Sequence, residues 1–310
     1  MPGHERVPSV GVVVLNWNGA DDTLECLRSL AQVDYPAREI IVVDNGSRTS
    51  PRQRILEEFP SVTYLETGCN LGYAGGNNVG IRYALERGHD YVLVLNNDTC
   101  VEPDSLRAAI AIAESDGRIA AVSVKIVCFD DPSRVWVAYG RLTYRKGLVR
   151  LIGYLQPDDG RFDQQLDVEW VPGTAIFLRR AALEHLGLFD EAFFAYHEDV
   201  DWCTQAREQG WRIVYAPCAR IFHKGHRSSG GKGYVTPRQY LAGRNMVLFV
   251  LKHGRWYQRL QFLALQITTL PLQYLWRCLS SEQAGVVLKV RGMVDALRGR
   301  PVPVEKLGLL

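Results

Sequence analysis

The sequence predicts a doubly wound α/β fold with a mostly parallel sheet. Three observations carry this. Short Val- and Ile-rich runs lack polar alternation, stretches with apolar residues at helical spacing separate them, and the runs stop abruptly on Asn or Asp. Runs of that kind are strands buried on both faces of a parallel sheet, and their alternation with helices marks an α/β layer. In such sheets ligands bind beyond the carboxyl ends of the strands.

The elements follow in order. "SVGVVVLNWN" (9–18) is the first buried strand, and "DDTLECLRSLAQV" (21–33) is a helix with Leu24, Leu27, Leu30 and Val33 on one face and Asp21 or Asp22 as its cap. "EIIVVDNGS" (39–47) is the second strand. "TSPRQRILEEF" (49–59) is a helix with Pro in its first turn. "VTYLET" (62–67) is a short strand, "GGNNVGIRYALERG" (75–88) a helix that starts on glycines, and "YVLVLNND" (91–98) the next strand. A helix over 102–115 and a strand over 119–127 complete this half. Residues 129–170 read as turns with hairpin strands in "VWVAYGRLTY" and "LVRLIGYL". A strand and helix over "WVPGTAIFLRRAALEHLG", a helix opening on "YHEDVD" and a strand ending at His223 follow.

Composition bounds the function. With 310 residues, 47% hydrophobic and 23% charged, the chain can bury a sizeable core as one large or two smaller domains. A net charge of +2 implies no nucleic-acid partner. Charge is uneven, however: Lys224, His226, Arg227, Lys232, Arg238, Arg244 and Lys252 fall in a stretch with no acid. The seven scattered cysteines form no CxxC pair and read as buried thiols of a reducing compartment. The N-terminal apolar run is too short for a signal peptide, so a cytoplasmic location is expected.

Polar residues at three successive strand ends (Asn16 and Asn18; Asp44 and Asn45; Asn96 to Asp98) converge on one edge and suggest a binding crevice. No G-x-G-x-x-G turn follows the first strand, and no P-loop or G-x-S-x-G elbow exists. Asp98 with Asn96 suits Mg²⁺ or Mn²⁺, hard cations that take oxygen ligands and often bridge to substrate phosphate. Asp44, acceptor-only when ionised, suits a base or sugar edge, and Asn77 and Asn78 offer amides at a glycine-rich helix start. Glu198, Asp199 and Asp201 crowd one helical turn. Mutual repulsion raises at least one pKa, which suits a general base. His223, alone at a strand end, is by itself more often structural than a ligand.

In order and spacing, "VVVLNWNGADDTLECLRSL", "IIVVDNGS", "NLGYAGGNNVGI", "VLVLNNDT", "VPGTAIFLRRAALEHLGLFDEAFFAYHEDVDWCTQAREQGW" and "IFHKGHRSSG" resemble the family 2 inverting glycosyltransferases of the GT-A fold, and most closely their rhamnosyltransferase-like branch. The resemblance covers roughly residues 9–250. It implies a Rossmann-like sheet flanked by helices and a dTDP- or UDP-sugar donor, or another nucleoside-diphosphate sugar. It implies a glycan or lipid-linked glycan acceptor in cell-wall polysaccharide synthesis and a divalent cation, Mg²⁺ or Mn²⁺. Asp44 and Asn77 then contact the nucleotide, and Asn96-Asn97-Asp98 stands in place of the D-x-D motif, with Asn for its first acid. Asp98 and His223 are the metal ligands it implies, and Asp199, beside Glu198, the catalytic base. Trp202 is implied to be structural or acceptor-lining. A nucleotidyltransferase is the competing enzyme, but "LNWNGADD" carries no Lys or Arg for a triphosphate; a non-catalytic nucleotide- or carbohydrate-binding module is the third reading.

The expected organisation is a glycosyltransferase domain over 1–250, with its donor half over 1–127 and its acceptor and catalytic half over 128–250, followed by a helical region over 251–310. "WYQRLQFLALQITTLPLQYLWRCL" (256–279) carries 17 uncharged residues between Arg259 and Arg277, short of the ~20 apolar residues of a span. Trp256, Tyr257, Tyr274 and Trp276 suit an interfacial helix pair lying at the inner face of the cell membrane, with the basic residues from 224 to 259 toward anionic lipid or a diphosphate-linked acceptor. The alternative is packing on the catalytic domain or against a second subunit in a homodimer.

Overall fold

A computed structural model describes residues 6–144, 147–225 and 233–309. The first half runs β1 (Val10–Asn16), α1 (Ala20–Ala31), β2 (Arg38–Asp44), α2 (Arg52–Glu58), β3 (Thr63–Glu66), α3 (Gly72–Glu86), β4 (Tyr91–Asn96), β5 (Thr99–Val101), α4 (Ser105–Glu114) and β6 (Ile119–Cys128). The second half has β7 (Arg134–Val137), β8 (Tyr139–Leu142), β9 (Val149–Ile152), β10 (Gln156–Pro157), β11 (Leu166–Asp167), β12 (Ala175–Arg179), α5 (Arg180–Leu186), α6 (Glu198–Glu208), β13 (Arg212–His223), α7 (Pro237–His253), α8 (Trp256–Cys278) and α9 (Gln283–Leu297).

Strands β3, β2, β1 and β4 are parallel neighbours, as the βα alternation requires. The register aligns Asn16 with Asp44 and Leu15 with Asn96, so the polar stops share one edge. Beyond β4 the sheet continues through β12, antiparallel to both β4 and β6, and β13 then runs parallel to β6 and antiparallel to β5. The expected hairpin over the irregular stretch is present as β8 and β9.

Successive residues of each central strand feed opposite layers. Val13, Leu15, Ile41, Val43, Val92 and Val94 face α3 in a cluster that extends to α6 and α7, whereas Val10, Val12, Val14, Val42, Leu93 and Leu95 belong to the cluster with α1 and α4. Burial of each such side chain contributes about 1.5–3 kcal/mol, which holds the strand ends in fixed register. Gly80 lets α3 lie against β1, because a Cβ there would overlap the Val13 methyls.

The thiols depart from expectation. Only Cys26 and Cys203 are buried, while Cys69, Cys218 and Cys278 are exposed. The C-terminal helices are anchored through α7: the Tyr240 hydroxyl donates to Asp295 of α9, and a guanidinium N–H of Arg244 to the Arg300 carbonyl. Among the described residues no helix is long and apolar enough to cross a membrane.

Candidate active site

The strand-end polar residues divide into a scaffold and an open set. Asn16 is fully buried and saturated: its amide donates to Asp44 Oδ1 at 2.7 Å and to Ser47 Oγ at 3.1 Å, and its Oδ1 accepts from Gly19 N and Thr23 Oγ1. Asn97 donates to Gly19 O and Thr23 Oγ1, tying the turn after β4 to the start of α1. Asn18 is exposed, with φ of 56°, and its Oδ1 accepts from Arg48 N. Asp44 spends Oδ1 on Asn16 and Ser47, and no hydrogen bond among the described residues engages Oδ2. Asn96 anchors through its backbone N–H to Thr174 O and keeps a partly exposed side chain. Asn77 is enclosed within α3; its amide nitrogen donates to Tyr73 O, and its Oδ1 is buried without a hydrogen-bond partner.

Asp98 has no hydrogen-bond donor on either side-chain oxygen and is 1% exposed. Its Oδ1 lies 3.3 Å from Nε2 of His223, whose Nδ1 is also unpartnered. An ionised carboxylate without donors is costly in a protein interior unless a cation meets it. The antiparallel pairing of β13 with β5 places His223 opposite Thr99 and so beside Asp98, and Trp136 packs edge-on against the imidazole. One carboxylate and one imidazole fit a divalent ion that takes its remaining ligands from substrate phosphate and water. No group of three or more His, Cys, Asp or Glu side chains able to hold a metal occurs among the described residues.

The acids opening α6 take three different states. Asp201 is fully buried and paired, with Lys252 Nζ at 2.9 Å and His253 Nε2 at 2.7 Å, which locks α6 to α7. Glu198 is buried with Oε2 unpartnered. Burial, and then the neighbouring Asp199 charge, push its carboxyl well above the usual range. Asp199 keeps a partly exposed face. Its Oδ2 accepts from Gly173 N at 2.7 Å and its Oδ1 from Val200 N at 2.8 Å. Desolvation outweighs these bonds and raises its carboxyl to about 6.

The two centres meet through Gly173, Thr174 and Tyr73. Gly173 holds Asp199, and Thr174, one residue on, accepts from the Asn96 backbone two residues before Asp98. Tyr73 donates its hydroxyl to Gly173 O. Burial, above all, raises the Tyr73 pKa well above its ordinary value, and the acids around it add to the effect. Trp202, by contrast, is buried and donates to Gly187 O, a structural place.

The loop that delivers Asp199 is strained. Phe194, Tyr196 and His197 have φ of 62°, 70° and 71°. Left-handed backbone costs a non-glycine residue on the order of 1–3 kcal/mol. Desolvation holds His197 neutral, its pKa lowered to about 4. Among the described residues of the basic stretch, Lys224 pairs with Asp22 and Glu25, Lys252 pairs with Asp190 and Asp201, and Arg244 is buried. His226, Arg227 and Lys232 lie outside the described residues.

The sheet has the architecture of the GT-A fold, with the Asp98–His223 pair at its strand ends and the half-open Asp199 apart from it. The family model "Glycosyltransferase like family 2" matches residues 8–257, and the chain belongs to that family. It is 26% identical over 269 residues to N-acetylglucosaminyl-diphospho-decaprenol L-rhamnosyltransferase of Mycobacterium tuberculosis, covering 80% of this chain and 86% of that protein. It is 28% identical over 216 residues to the low-salt glycan biosynthesis hexosyltransferase Agl10 of Haloferax volcanii, covering 69% of this chain and 66% of that protein. Among solved structures, the mannosyltransferase PcManGT of Pyrobaculum calidifontis, in complex with GDP-Man and Mn²⁺, shares the fold with a TM-score of 0.59 at 20% identity, over 94% of this chain and 88% of that one.

Proposed function

We propose that the protein is a metal-dependent inverting glycosyltransferase that moves a sugar, rhamnose or a similar hexose, from a nucleoside diphosphate to a hydroxyl of a glycan or lipid-linked glycan. The observation that carries this reading is the contrast at the site: a buried, donor-less Asp98 against His223, and a partly open Asp199 with its carboxyl raised to about 6.

Asp98 and His223 would hold Mg²⁺ or Mn²⁺, which supplies charge neutralisation of the leaving diphosphate. Asp44 and the exposed part of the β1–β2 edge receive the nucleoside. Asp199 accepts the proton of the acceptor hydroxyl as its oxygen attacks the anomeric carbon from the face opposite the leaving group. The new glycosidic bond forms, the bond to the diphosphate breaks, and configuration inverts. Glu198 is enclosed, and burial raises its carboxyl well above the usual range, which leaves the partly open Asp199 as the base at the α6 mouth. Gly173 and Val200 hold both its oxygens and orient it toward its open side.

The acceptor reading draws on α8. Trp256, Leu260, Leu263, Ile267 and Leu275 form an exposed stripe at helical spacing, the kind of apolar face that soluble monomers rarely leave uncovered. Its proposed occupant is the lipid surface that carries the acceptor. The experiment for the main reading is a panel of dTDP-, UDP- and GDP-sugars with Mn²⁺ or Mg²⁺, scored by nucleoside-diphosphate release with a lipid-linked glycan acceptor. Metal-dependent release that needs the acceptor supports it. Pyrophosphate release from a nucleoside triphosphate and a sugar phosphate would replace it with nucleotidyl transfer.

A further inference from the structure

Asn245 sits in the middle of α7, fully buried, and touches neither the strand-end edge nor Asp199. Its side-chain nitrogen lies 2.8 Å from Phe193 O, 2.7 Å from Ala195 O and 2.7 Å from Tyr196 O. A primary amide has two N–H bonds, so three carbonyls at these distances share them. The adjacent Arg244, also buried, donates to Ala192 O and to Arg300 O. Two consecutive side chains of one helix thus engage the carbonyls of Ala192, Phe193, Ala195 and Tyr196.

Those carbonyls belong to the segment with left-handed backbone at Phe194, Tyr196 and His197, and Glu198 and Asp199 follow at once. The opposite side of the segment is held by α3. Ala74 N donates to Phe194 O at 3.0 Å, and Gly72, at φ of 76°, leaves the space that a Cβ would take from that carbonyl. Asn78 clasps the same approach, donating to Phe189 O and accepting from Phe189 N. Tyr73, between Gly72 and Ala74, reaches Gly173, which in turn holds Asp199. The segment is therefore gripped from two sides in a conformation that its own residues disfavour.

We propose that Asn245 is a positioning residue for Asp199: its amide keeps the left-handed segment wound and thereby sets where the carboxylate of Asp199 stands relative to the donor. The inference rests on Asp199 being the base. Loss of the amide takes a donor from Ala195 O and Tyr196 O, leaves Phe193 O with the Ala195 N–H alone, and frees a strained backbone, which unwinds toward ordinary φ. Asp199 then leaves Gly173, and its environment becomes more hydrated.

The test uses the full chain with Asn245→Ala, and with Asn245→Ser, which keeps one donor. Hydrogen exchange of the 193–201 amides needs no knowledge of the substrate. It is expected to rise at least tenfold in Asn245→Ala and less in Asn245→Ser, with β1 and β4 unchanged. Binding of UDP and dTDP with Mn²⁺ is expected to stay within threefold of the parent. With the nucleotide sugar that turns over, kcat is expected to fall ~30-fold or more while the donor KM holds, and the acid limb of kcat is expected to move below its parent position. Asn245→Ser recovers part of each. A folded Asn245→Ala with parental exchange over 193–201, or with parental kcat and acid limb, overturns the proposal. Should Asn245→Ala fail to fold, the same two criteria applied to Asn245→Ser decide it. A parental turnover in Asp199→Asn would instead overturn the base assignment, whatever the exchange shows.

Discussion

At the strand-end edge Asp98 lies enclosed, with no hydrogen bond to either oxygen and an imidazole 3.3 Å away. At the mouth of α6 Asp199 lies partly open, with a backbone N–H on each oxygen. The protein supplies the second carboxylate with its own donors and leaves the first without any. A buried charge with nothing to meet it suits a site completed by a cation, and a held charge with an open face suits a site that takes up a proton. The difference between the two regions is what assigns their roles.

The largest effect that sharpens this comparison is expected from Asp199→Asn. General-base catalysis is worth ~10²–10⁴-fold, so kcat should fall by that much while UDP or dTDP binding with Mn²⁺ stays near parental, read by isothermal calorimetry beside the turnover assay. Equal losses of binding and turnover would break the division of labour.

Next comes Asp98→Asn, with the opposite signature. Metal-dependent nucleotide binding should weaken at least tenfold, and the melting temperature of the metal-free protein should rise, because an unpaired buried charge is removed. Differential scanning fluorimetry with and without Mn²⁺ reads both; a metal-free protein that melts lower would count against an unmet charge.

A third effect concerns pH. The Asp199 carboxyl is raised to about 6, so the ionised base is present above that pH and is lost below it, with kcat falling about tenfold per pH unit on the acid side. The linkage to stability has the matching sign. The contribution from a neutral Asp199 is whole below the ordinary carboxyl range and disappears as pH rises through about 6. A kcat profile flat down to pH 4.5 would contradict the raised base.

The smallest effect lies far from both centres. Leu263→Asp with Ile267→Asp on α8 should reduce flotation with anionic phospholipid vesicles severalfold while leaving transfer to a water-soluble acceptor unchanged. Equal flotation of variant and parent would remove the lipid surface as the occupant of that face.

Much of the strand-end region was legible in the sequence, because a strand buried on both faces is a continuous apolar run and its end is marked by the first residue that cannot be buried alone. Asn16, Asp44 and Asp98 stand out for that reason. The finer division was not legible: Asn16 and Asn97 saturate one another's neighbours, whereas Asp98 is left unmet, and that depends on the register of strands far apart in the chain. The proximity of His223 to Asp98 required the antiparallel pairing of β13 with β5, and no spacing between residues 98 and 223 encodes it. At the α6 mouth the acidic cluster was visible, but not that Asp201 is paired while Glu198 is enclosed with Oε2 unpartnered. Asn245 carried one faint signal, a polar residue amid the apolar face of α7, and its partners are backbone carbonyls that no side-chain pattern reports. The internal pairing of Lys224 and Lys252 was not legible for a related reason: their acidic partners come from α1, the loop after α5 and α6, distant in sequence.

The most direct measurement is a crystal structure of the protein soaked with Mn²⁺ and UDP or dTDP, with the metal located by its anomalous scattering. The account predicts manganese bound directly to Asp98 and His223, the terminal phosphate on the same ion, and Asp199 facing that phosphate across a gap the size of one sugar ring. Manganese elsewhere, or a nucleotide whose diphosphate points away from Asp199, would contradict it.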